Sequence, residues 1–451
     1  MNTMKSSIFK KTALGSLSML AIIAAYTSHA DTTQPGSPST PPSIAPIDRT
    51  MTVGTKKYPG KVYFLAATPE TTQWGWFDNA EPPRLKIGSG DTVVFETLSH
   101  SHGQLYPGKT IEELKKLRTD WPGRGPMTLT GPVYVEGAEP GDVLKLTINK
   151  IVGRPWGANF NIPGMFGQFP KDYPEGQVKY LYLDWDKKVA EFLPGIEVPL
   201  RPFPGTLGVA RKEPGRYNAV PPGPYAGNLD NRDLVEGTTL YVPVFVPGAL
   251  VWTGDSHAAQ GNGEINLTAI ETAFQEMSVT MVVDKKKKLE MPRIETKTDW
   301  ITMGYDVDLN KALDQAKSES IKMISELRGV SAEQAANLFP KVADCRVTQV
   351  VDIKKGVHCM IPKDPKKQLT EVRPKSDTAQ YLVSYQNGPD MNQNADMASK
   401  KMLAKLEGEK GLNRLDAYGL ASVSMDCRVG EMIANDKSIS CLMAKNMWVK
   451  K

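Results

Sequence analysis

The strongest constraint on the fold of this chain is an internal repeat near its C-terminus. Residues 329–363 align without gaps to residues 411–445, so that matched residues lie 82 positions apart throughout. An amphipathic segment precedes each copy, and each copy itself contains a helix-like segment followed by a hairpin-like segment. Gly329 stands where a helix would end, and Ser331 begins a capping-box pattern. The repeat therefore predicts two helix–helix–hairpin units packed around a pseudo-twofold axis.

All four cysteines lie in this repeat, at equivalent positions of its two copies. They are Cys345, Cys359, Cys427 and Cys441. Their equivalence suggests a structural role, and none belongs to a CxxC pair, which argues against a cysteine-based zinc ribbon. We expect disulfides, and the sequence leaves open whether they form within each copy or between copies.

The chain before the repeat has the composition of β-structure with long loops. Its 451 residues include 34 prolines and 38 glycines, which favour strands and loops over long helices. Runs rich in Val, Tyr, Phe and Thr, broken by Gly, Pro and Asp, lie at 61–67, 91–98, 131–151, 238–246 and 276–284. We predict an α+β, mainly β fold: a β-sandwich or barrel-like body at 50–298, then copies of the repeated unit at 299–369 and 370–451.

The N-terminus has the pattern of an export signal. Lys5, Lys10 and Lys11 form a basic region, an apolar run of 15 residues follows, and small residues precede Asp31. We predict a signal peptide over residues 1–30 and a Pro/Ser/Thr-rich linker over 31–49. The mature protein would be periplasmic or secreted, without stable membrane insertion, and an uncleaved anchor is the alternative.

The charge pattern gives no reason to expect a nucleic-acid partner. The formal net charge is only +5, and the one lysine run, Lys285 to Lys288, is isolated. A solvated hairpin turn accounts for such a run.

Residues suited to metal binding gather in the stretch "GDSHAAQGNGE", residues 254–264. Asp255 and His257 are two positions apart, so that on a strand they would point to the same side. Gly261 and Gly263 would let the backbone turn and bring Glu264 back toward them. Imidazole nitrogens and carboxylate oxygens bind divalent metals, and a Glu beside a metal-activated water is a suitable general base. The alternative is an ordinary polar loop between two strands.

Two further segments could converge on this loop. His100 and His102 are again two positions apart, at the end of an apolar strand. Asn228 and Asp230 lie in a glycine-led loop. A solvated strand end and a simple Asx turn are the respective alternatives.

Four motifs, in order along the chain, resemble one known family. They are "TGPVYVEGAEPGDVLKLTI", "PFPGTLGVA", "GNLDNRDLVEGTTLYVPVFVPGALVWTGDSHAAQGNGEI" and "DCRVTQVVDIKKGVHCMIPK". They are similar to the acetamidase/formamidase family, over residues 55–363. The resemblance implies a hydrolase that cleaves the C–N bond of small linear amides to ammonia and a carboxylate. It also implies a mainly β body, a bound divalent metal and a homo-oligomer, dimer or larger.

The resemblance implies that the Asn228/Asp230 loop and the loop of Asp255, His257 and Glu264 form the site, and we place the metal and its water there. The expected metal ligands are Asp230, Asp255 and His257, with His100 or His102 completing the shell. Glu264 is expected to act as the general base, and Asn228 and Gln260 to bind the substrate. Zinc is the preferred metal, with calcium and manganese as alternatives.

This chain differs from the family pattern at several places. Asn262 stands where the family usually has an acid, Met127 where it often has Asn or His, and a histidine pair where an Asp is common. The second C-terminal copy is extra. These differences leave three alternatives: a non-catalytic periplasmic ligand-binding protein, a hydrolase of another C–N substrate such as a cyclic imide, and a C-terminal unit that forms an oligomer interface.

Overall fold

The computed structural model describes residues 58–369, 373–433 and 436–449. The predicted signal peptide and linker lie outside these residues. No helix in the described part of the chain combines the length and the apolarity that crossing a bilayer needs.

Two large sheets dominate the molecule. The first has twelve strands, in the spatial order β1 (Val62–Leu65), β5 (Thr92–Phe95), β18 (Phe274–Asp284), β7 (Val143–Gly153), β15 (Thr239–Pro243), β19 (Arg293–Glu295), β20 (Asp299–Asp306), β22 (Lys355–Pro362), β21 (Asp344–Gln349), β24 (Asp426–Ile433), β25 (Asp436–Ala444) and β23 (Tyr381–Gly388). It therefore runs without a break from the N-terminal body through both C-terminal copies.

The second sheet has nine strands and carries most of the loops of interest. Its main path is β14 (Ala226–Asn228), β12 (Phe203–Val209), β16 (Val251–His257), β17 (Glu271–Thr272), β8 (Trp156–Asn161) and β9 (Gln177–Tyr182). Three strands extend it beside β16: β6 (Thr128–Val135), β2 (Thr72–Trp74) and β4 (Leu85–Ile87). Two small ribbons complete the β-structure: β10 (Val189–Leu193) with β11 (Ile196–Pro199), and β3 (Trp76–Asp78) with β13 (Arg216–Asn218).

The helices are few. They are α1 (His100–Gly103), α2 (Ile111–Asp120), α3 (Leu309–Arg328), α4 (Ala332–Val342), α5 (Met391–Lys410), α6 (Arg414–Ser424) and a short 3₁₀ helix (Lys445–Met447). Gly329 ends α3 in the left-handed conformation, and Ser331 forms the predicted capping box at the start of α4. These two signals place the helix boundaries where the sequence predicted them.

The two large sheets pack face to face around one apolar core. Phe95 and Leu146 reach it from the first sheet, and Leu129, Leu207 and Val251 from the second. Each of these five side chains is fully buried. The α+β, mainly β prediction is confirmed, and the N-terminal body is a sandwich in which each sheet covers the other's apolar face.

The C-terminal repeat has the predicted order of helix, helix and hairpin in both copies. Strands β21 and β24 lie side by side and antiparallel, with Arg346 opposite Arg428. These residues are equivalent in the repeat, and an antiparallel pair of equivalent residues is the geometry of a twofold axis. The starts of α3 and α5 contact each other with the same symmetry. Asp308 accepts a hydrogen bond from Asn392 at 2.7 Å, and the equivalent Asp390 accepts one from Asn310 at 2.9 Å.

The disulfides join the two strands of each hairpin. Cys345 pairs with Cys359 in the first copy, and Cys427 with Cys441 in the second. The sequence left open whether the disulfides form within or between copies, and in the structure they form within each copy. The proposed domain boundaries at 298 and 369 stay a prediction, although the first large sheet crosses both of them.

Candidate functional site

The site is built where strands β12 and β16 of the second sheet pair. His257 ends β16 opposite Phe203, and Asp255 lies in the same strand with φ of 52°. Gly205, in β12, leaves the space that the polar side chains fill. A Cβ there would lie 2.7 Å from Asp255 Oδ2, 2.7 Å from His257 Cε1 and 2.8 Å from Asp230 Oδ1. Any other residue at position 205 would therefore displace three of the predicted ligands.

Four buried side chains form a compact group of metal-ligand type: His100, Asp255, His257 and Glu271. His100 Nε2 lies 2.6 Å from Asp255 Oδ1 and 2.9 Å from Glu271 Oε2. His257 Nε2 lies 3.1 Å from Glu271 Oε2 and 3.5 Å from Asp255 Oδ1. Their ligand atoms all lie within 4.8 Å of one another, which matches the donor types and closeness of a divalent-metal site.

A second group shares His257 and adds Asp230 and Glu264, again with ligand atoms within 4.8 Å. Asp230 Oδ1, His257 Nδ1 and Glu264 Oε2 are buried and have no hydrogen-bond partner among the described residues. Leaving buried polar atoms unpaired is costly, because their hydration is lost without replacement. A cation would satisfy these atoms, so the residues fit a metal.

The charge balance supports the same conclusion. Five carboxyl groups, those of Asp230, Asp255, Glu264, Glu271 and Asp352, line one cavity. The basic side chains at the site are His100 and Arg118, which line the same cavity, and His257. Even with both imidazoles protonated, three positive charges cannot neutralise five carboxylates. Either some carboxyl groups stay protonated or a cation joins them.

The pKa values divide the site into two parts. Near the imidazoles, burial alone would raise the pKa of Asp255, but His257 and His100 outweigh burial and hold it below its usual range. On the other side, burial and the neighbouring Asp230 and Asp352 raise the pKa of Glu264 well above its usual value. Burial and Asp255 raise the pKa of Asp352 to about 7. The second part can therefore hold a proton near neutral pH.

The cavity at the centre of the site is small. The space open to water in it is about 20 Å³, which is about one or two water molecules. Glu264 and Asp230 face it from one side, and Met127, Phe160 and Leu267 supply apolar surface. A ligand of few heavy atoms is the kind that such a space accepts.

His100 and His102 do not act as a same-side pair. Ser101 and His102 have left-handed backbone conformations, with φ of 55° and 61°, so the strand geometry expected for this segment is wrong. His100 enters the four-residue group, whereas His102 Nε2 lies 2.8 Å from Thr72 Oγ1 and its ring stacks at 6.1 Å from Trp74.

The two expected substrate-binding residues take different places. Asn228 lines the cavity, but its Oδ1 accepts from Thr206 at 2.9 Å and its Nδ2 donates to Val220 O at 3.1 Å. Gln260 Nε2 donates to the backbone oxygen of Asp230 at 3.1 Å. Gln260 thus helps to hold the backbone of the Asp230 loop in place.

The sequence analysis missed Glu271 and Asp352. Glu271 lies in the two-residue strand β17, directly opposite His257. Asp352 lies in the β21–β22 turn, with φ of 63°. An acid in the turn "VVDIKKG" was a local signal for Asp352, but strand register alone brings Glu271 to the site.

Comparison with known proteins agrees with this arrangement. The Acetamidase/Formamidase family matches residues 67–216 and 211–365. Formamidase of Methylophilus methylotrophus is 27% identical over 333 residues, covering 56% of this chain and 80% of that protein. Acetamidase of Mycolicibacterium smegmatis is 28% identical over 218 residues, covering 34% and 53%. The chain therefore spans about half the length of that acetamidase.

The fold is also found in solved structures. The crystal structure of acetamidase from Bacillus halodurans has a TM-score of 0.60 and 29% identity, and the match covers 66% of this chain and 97% of that chain. The family match covers well over half of this chain and includes β12, β16 and the residues of both ligand groups. The chain belongs to the acetamidase/formamidase family.

Proposed function

We propose that the protein is an exported, metal-dependent amidohydrolase that cleaves small linear amides to ammonia and a carboxylate. The observation that carries the proposal is the convergence of Asp230, His257 and Glu264 at one small cavity, each with a buried polar atom that has no hydrogen-bond partner among the described residues. Membership of the family supports the choice of reaction.

His100, Asp255, His257 and Glu271 would hold the metal, with Asp230 as a further ligand. Two imidazole nitrogens favour zinc or manganese over calcium, which prefers an all-oxygen shell. When bound, such a cation would polarise the amide carbonyl and acidify a water molecule. Compared with the ligands expected from the sequence, this set retains His100, omits His102 and adds Glu271.

Glu264 is the proposed general base. Its raised pKa makes it a stronger base than an ordinary carboxylate, suited to take the proton of the attacking water and to return that proton to the leaving nitrogen. The proton is needed there because an amide nitrogen leaves as ammonia and not as an anion. Asp352 lies close enough to contribute to the raised pKa of Glu264.

The size of the cavity favours a short acyl group. Met127 and Phe160 would contact the acyl carbon, and the polar side would face the carbonyl and the amide nitrogen. Formamide and acetamide fit this description better than cyclic imides or aromatic amides.

Export is proposed from the cysteines and from the N-terminal sequence. Two disulfides within hairpins are typical of an oxidising compartment. A homo-oligomer stays a prediction, which the mass of the purified protein in solution would test.

The test is ammonia release from formamide and acetamide by the purified mature protein, with metal content measured in the same sample. We expect activity to fall by at least about 100-fold after chelation and to return when zinc or manganese is added. Full activity in metal-free protein would contradict the mechanism.

Parallel measurements separate the alternatives. Turnover of a cyclic imide but not of acetamide would favour the other hydrolase. A rise in melting temperature with amide, without turnover of any substrate, would favour a binding protein.

A further inference from the structure

The loop that carries Glu264 is held in a conformation that its own sequence does not favour. Glu264 has φ of 51°, in the left-handed region that is unfavourable for a non-glycine residue. Its backbone N–H donates to Gly261 O at a long 3.3 Å. The conformation must therefore be stabilised by contacts from outside the loop.

The first C-terminal copy supplies two of these contacts. Gly263 N donates to Thr348 O at 3.1 Å, and Val350 N donates to Gly263 O at 2.9 Å. The loop thus lies beside the end of β21 like a short extra strand.

The second copy holds the loop from the other side. Gly261 N donates to Ser422 O at 2.8 Å, and a Cβ on Gly261 would lie 2.7 Å from Met425 O. Asn262 Nδ2 donates to Asp426 Oδ1 at 2.6 Å, and both side chains are buried. Asp426 is therefore a charged side chain of the second copy that bonds directly to this loop.

Asp426 also reaches the loop of Asp230. Arg232 Nη2 lies 3.3 Å from Asp426 Oδ1, and Arg232 Nη1 donates to Gln260 O at 3.4 Å. Arg428 Nη2 fixes the other carboxylate oxygen at 2.6 Å. One carboxylate thus connects the two loops that carry Asp230 and Glu264.

We propose that Asp426 is a positioning residue for the reaction: through Asn262 and Arg232 it keeps the Glu264 and Asp230 loops at the cavity. This inference rests on the proposed function for its activity readout. Asp426 lies in the second copy, beyond residues 67–365 that match the family. The extra copy is thereby part of the support of the site.

The repeat provides a matched control. Asp344 is the equivalent of Asp426 in the first copy, and it pairs with Arg346 at 2.7 Å as Asp426 pairs with Arg428. Asp344 also forms an ion pair with Arg373 Nη2 at 3.8 Å. Substituting Asp344 removes the same chemical group without removing the hydrogen bond to Asn262.

The experiment compares Asp426→Ala, Asp344→Ala and Asn262→Ala in the full chain. We expect Asp426→Ala and Asn262→Ala to lower kcat on acetamide by about 10-fold or more with KM changed less than 3-fold, because the general base is misplaced. Hydrogen exchange of residues 260–264 should become about 10-fold faster in both variants. Asp344→Ala should change neither quantity by more than about 2-fold. If Asp426→Ala does not fold, Asn262→Ala removes the same hydrogen bond from the loop side.

The results separate the two proposals. A wild-type protein that hydrolyses no linear amide would end the proposed function, and the exchange comparison would still decide whether Asp426 holds the loop. Unchanged exchange of residues 260–264 in Asn262→Ala, or equal losses in Asp344→Ala and Asp426→Ala, would overturn the positioning role.

Discussion

At the scale of single residues, Glu264 combines an unfavourable backbone conformation with the proposed role of general base. Its left-handed conformation aims a carboxyl group with a raised pKa at the cavity. Non-glycine residues keep such conformations only where the surroundings determine them, and these places are frequently functional. The predicted role of Glu264 as the base is therefore compatible with both its backbone and its environment.

Replacing Glu264 by Gln tests that role. The amide has nearly the same shape but cannot accept the proton of water, so we expect kcat to fall by about 100-fold to 10,000-fold. Metal content and unfolding midpoint should stay close to those of the wild type. A variant that keeps more than a tenth of the wild-type kcat would contradict the assignment.

Gly205 provides a second test at this scale. In Gly205→Ala, a methyl group would meet Asp255, His257 and Asp230 at less than 3 Å, so we expect lower metal affinity and lower activity. Metal content after dialysis and ammonia release measure the effect.

Gly408→Ala is the control for this change. Gly408 is exposed in α5, and a Cβ there would meet nothing within 4 Å. We expect it to keep full activity and to stabilise the protein by about 0.5–1 kcal/mol, because alanine is the better helix former. Equal metal binding by both variants would show that the space at Gly205 is not needed.

At the scale of elements, each C-terminal copy contains a hairpin closed by one disulfide. The repeat predicted the same hairpin in both copies, and amphipathic periodicity with the signals at Gly329 and Ser331 predicted the helices. The sequence could not predict the left-handed turn at His100–Gly103, because non-glycine residues seldom adopt that conformation. For this reason only His100 joins the ligand group, and His102 lies beside Thr72.

The disulfides allow a prediction at this scale. In each copy the bridged cysteines are 14 positions apart, and closing a loop of that length stabilises by about 3 kcal/mol. We expect Cys427→Ala/Cys441→Ala and Cys345→Ala/Cys359→Ala to lose about equal stability in urea unfolding. Loss in only one pair would show that the copies are not energetically equivalent.

At the scale of the whole molecule, the buried carboxylate of Asp426 is one of the contacts between the second copy and the body. Burial alone would raise the pKa of Asp426, but Arg232, Arg346 and Arg428 outweigh burial and hold it well below its usual range. A depressed pKa means that the ionised form stabilises the fold. This stabilisation is complete above the unfolded pKa of about 4 and is lost as pH falls through the folded value.

Asp426→Asn should show this pH dependence. We expect a loss of about 3 kcal/mol in the free energy of unfolding at pH 7, because three arginines lose a buried partner. The difference from the wild type should shrink as the pH is lowered from 5 to 3. A difference that is constant over this range would mean that the charge of Asp426 does not contribute.

The sequence by itself determined the local features of this protein and several of the residues that meet at the site. The repeat, the hairpins, the caps and the loop of Asp255, His257 and Glu264 depend on neighbouring residues or on direct similarity between segments. These are interactions that a linear pattern contains.

The tertiary structure alone decided which distant residues join them. Strand register placed Glu271 opposite His257, a left-handed turn separated His100 from His102, and the second copy brought Asp426 to Asn262. Each of these contacts depends on how separate strands and loops pack, and no local preference encodes the distance between residues 164 positions apart.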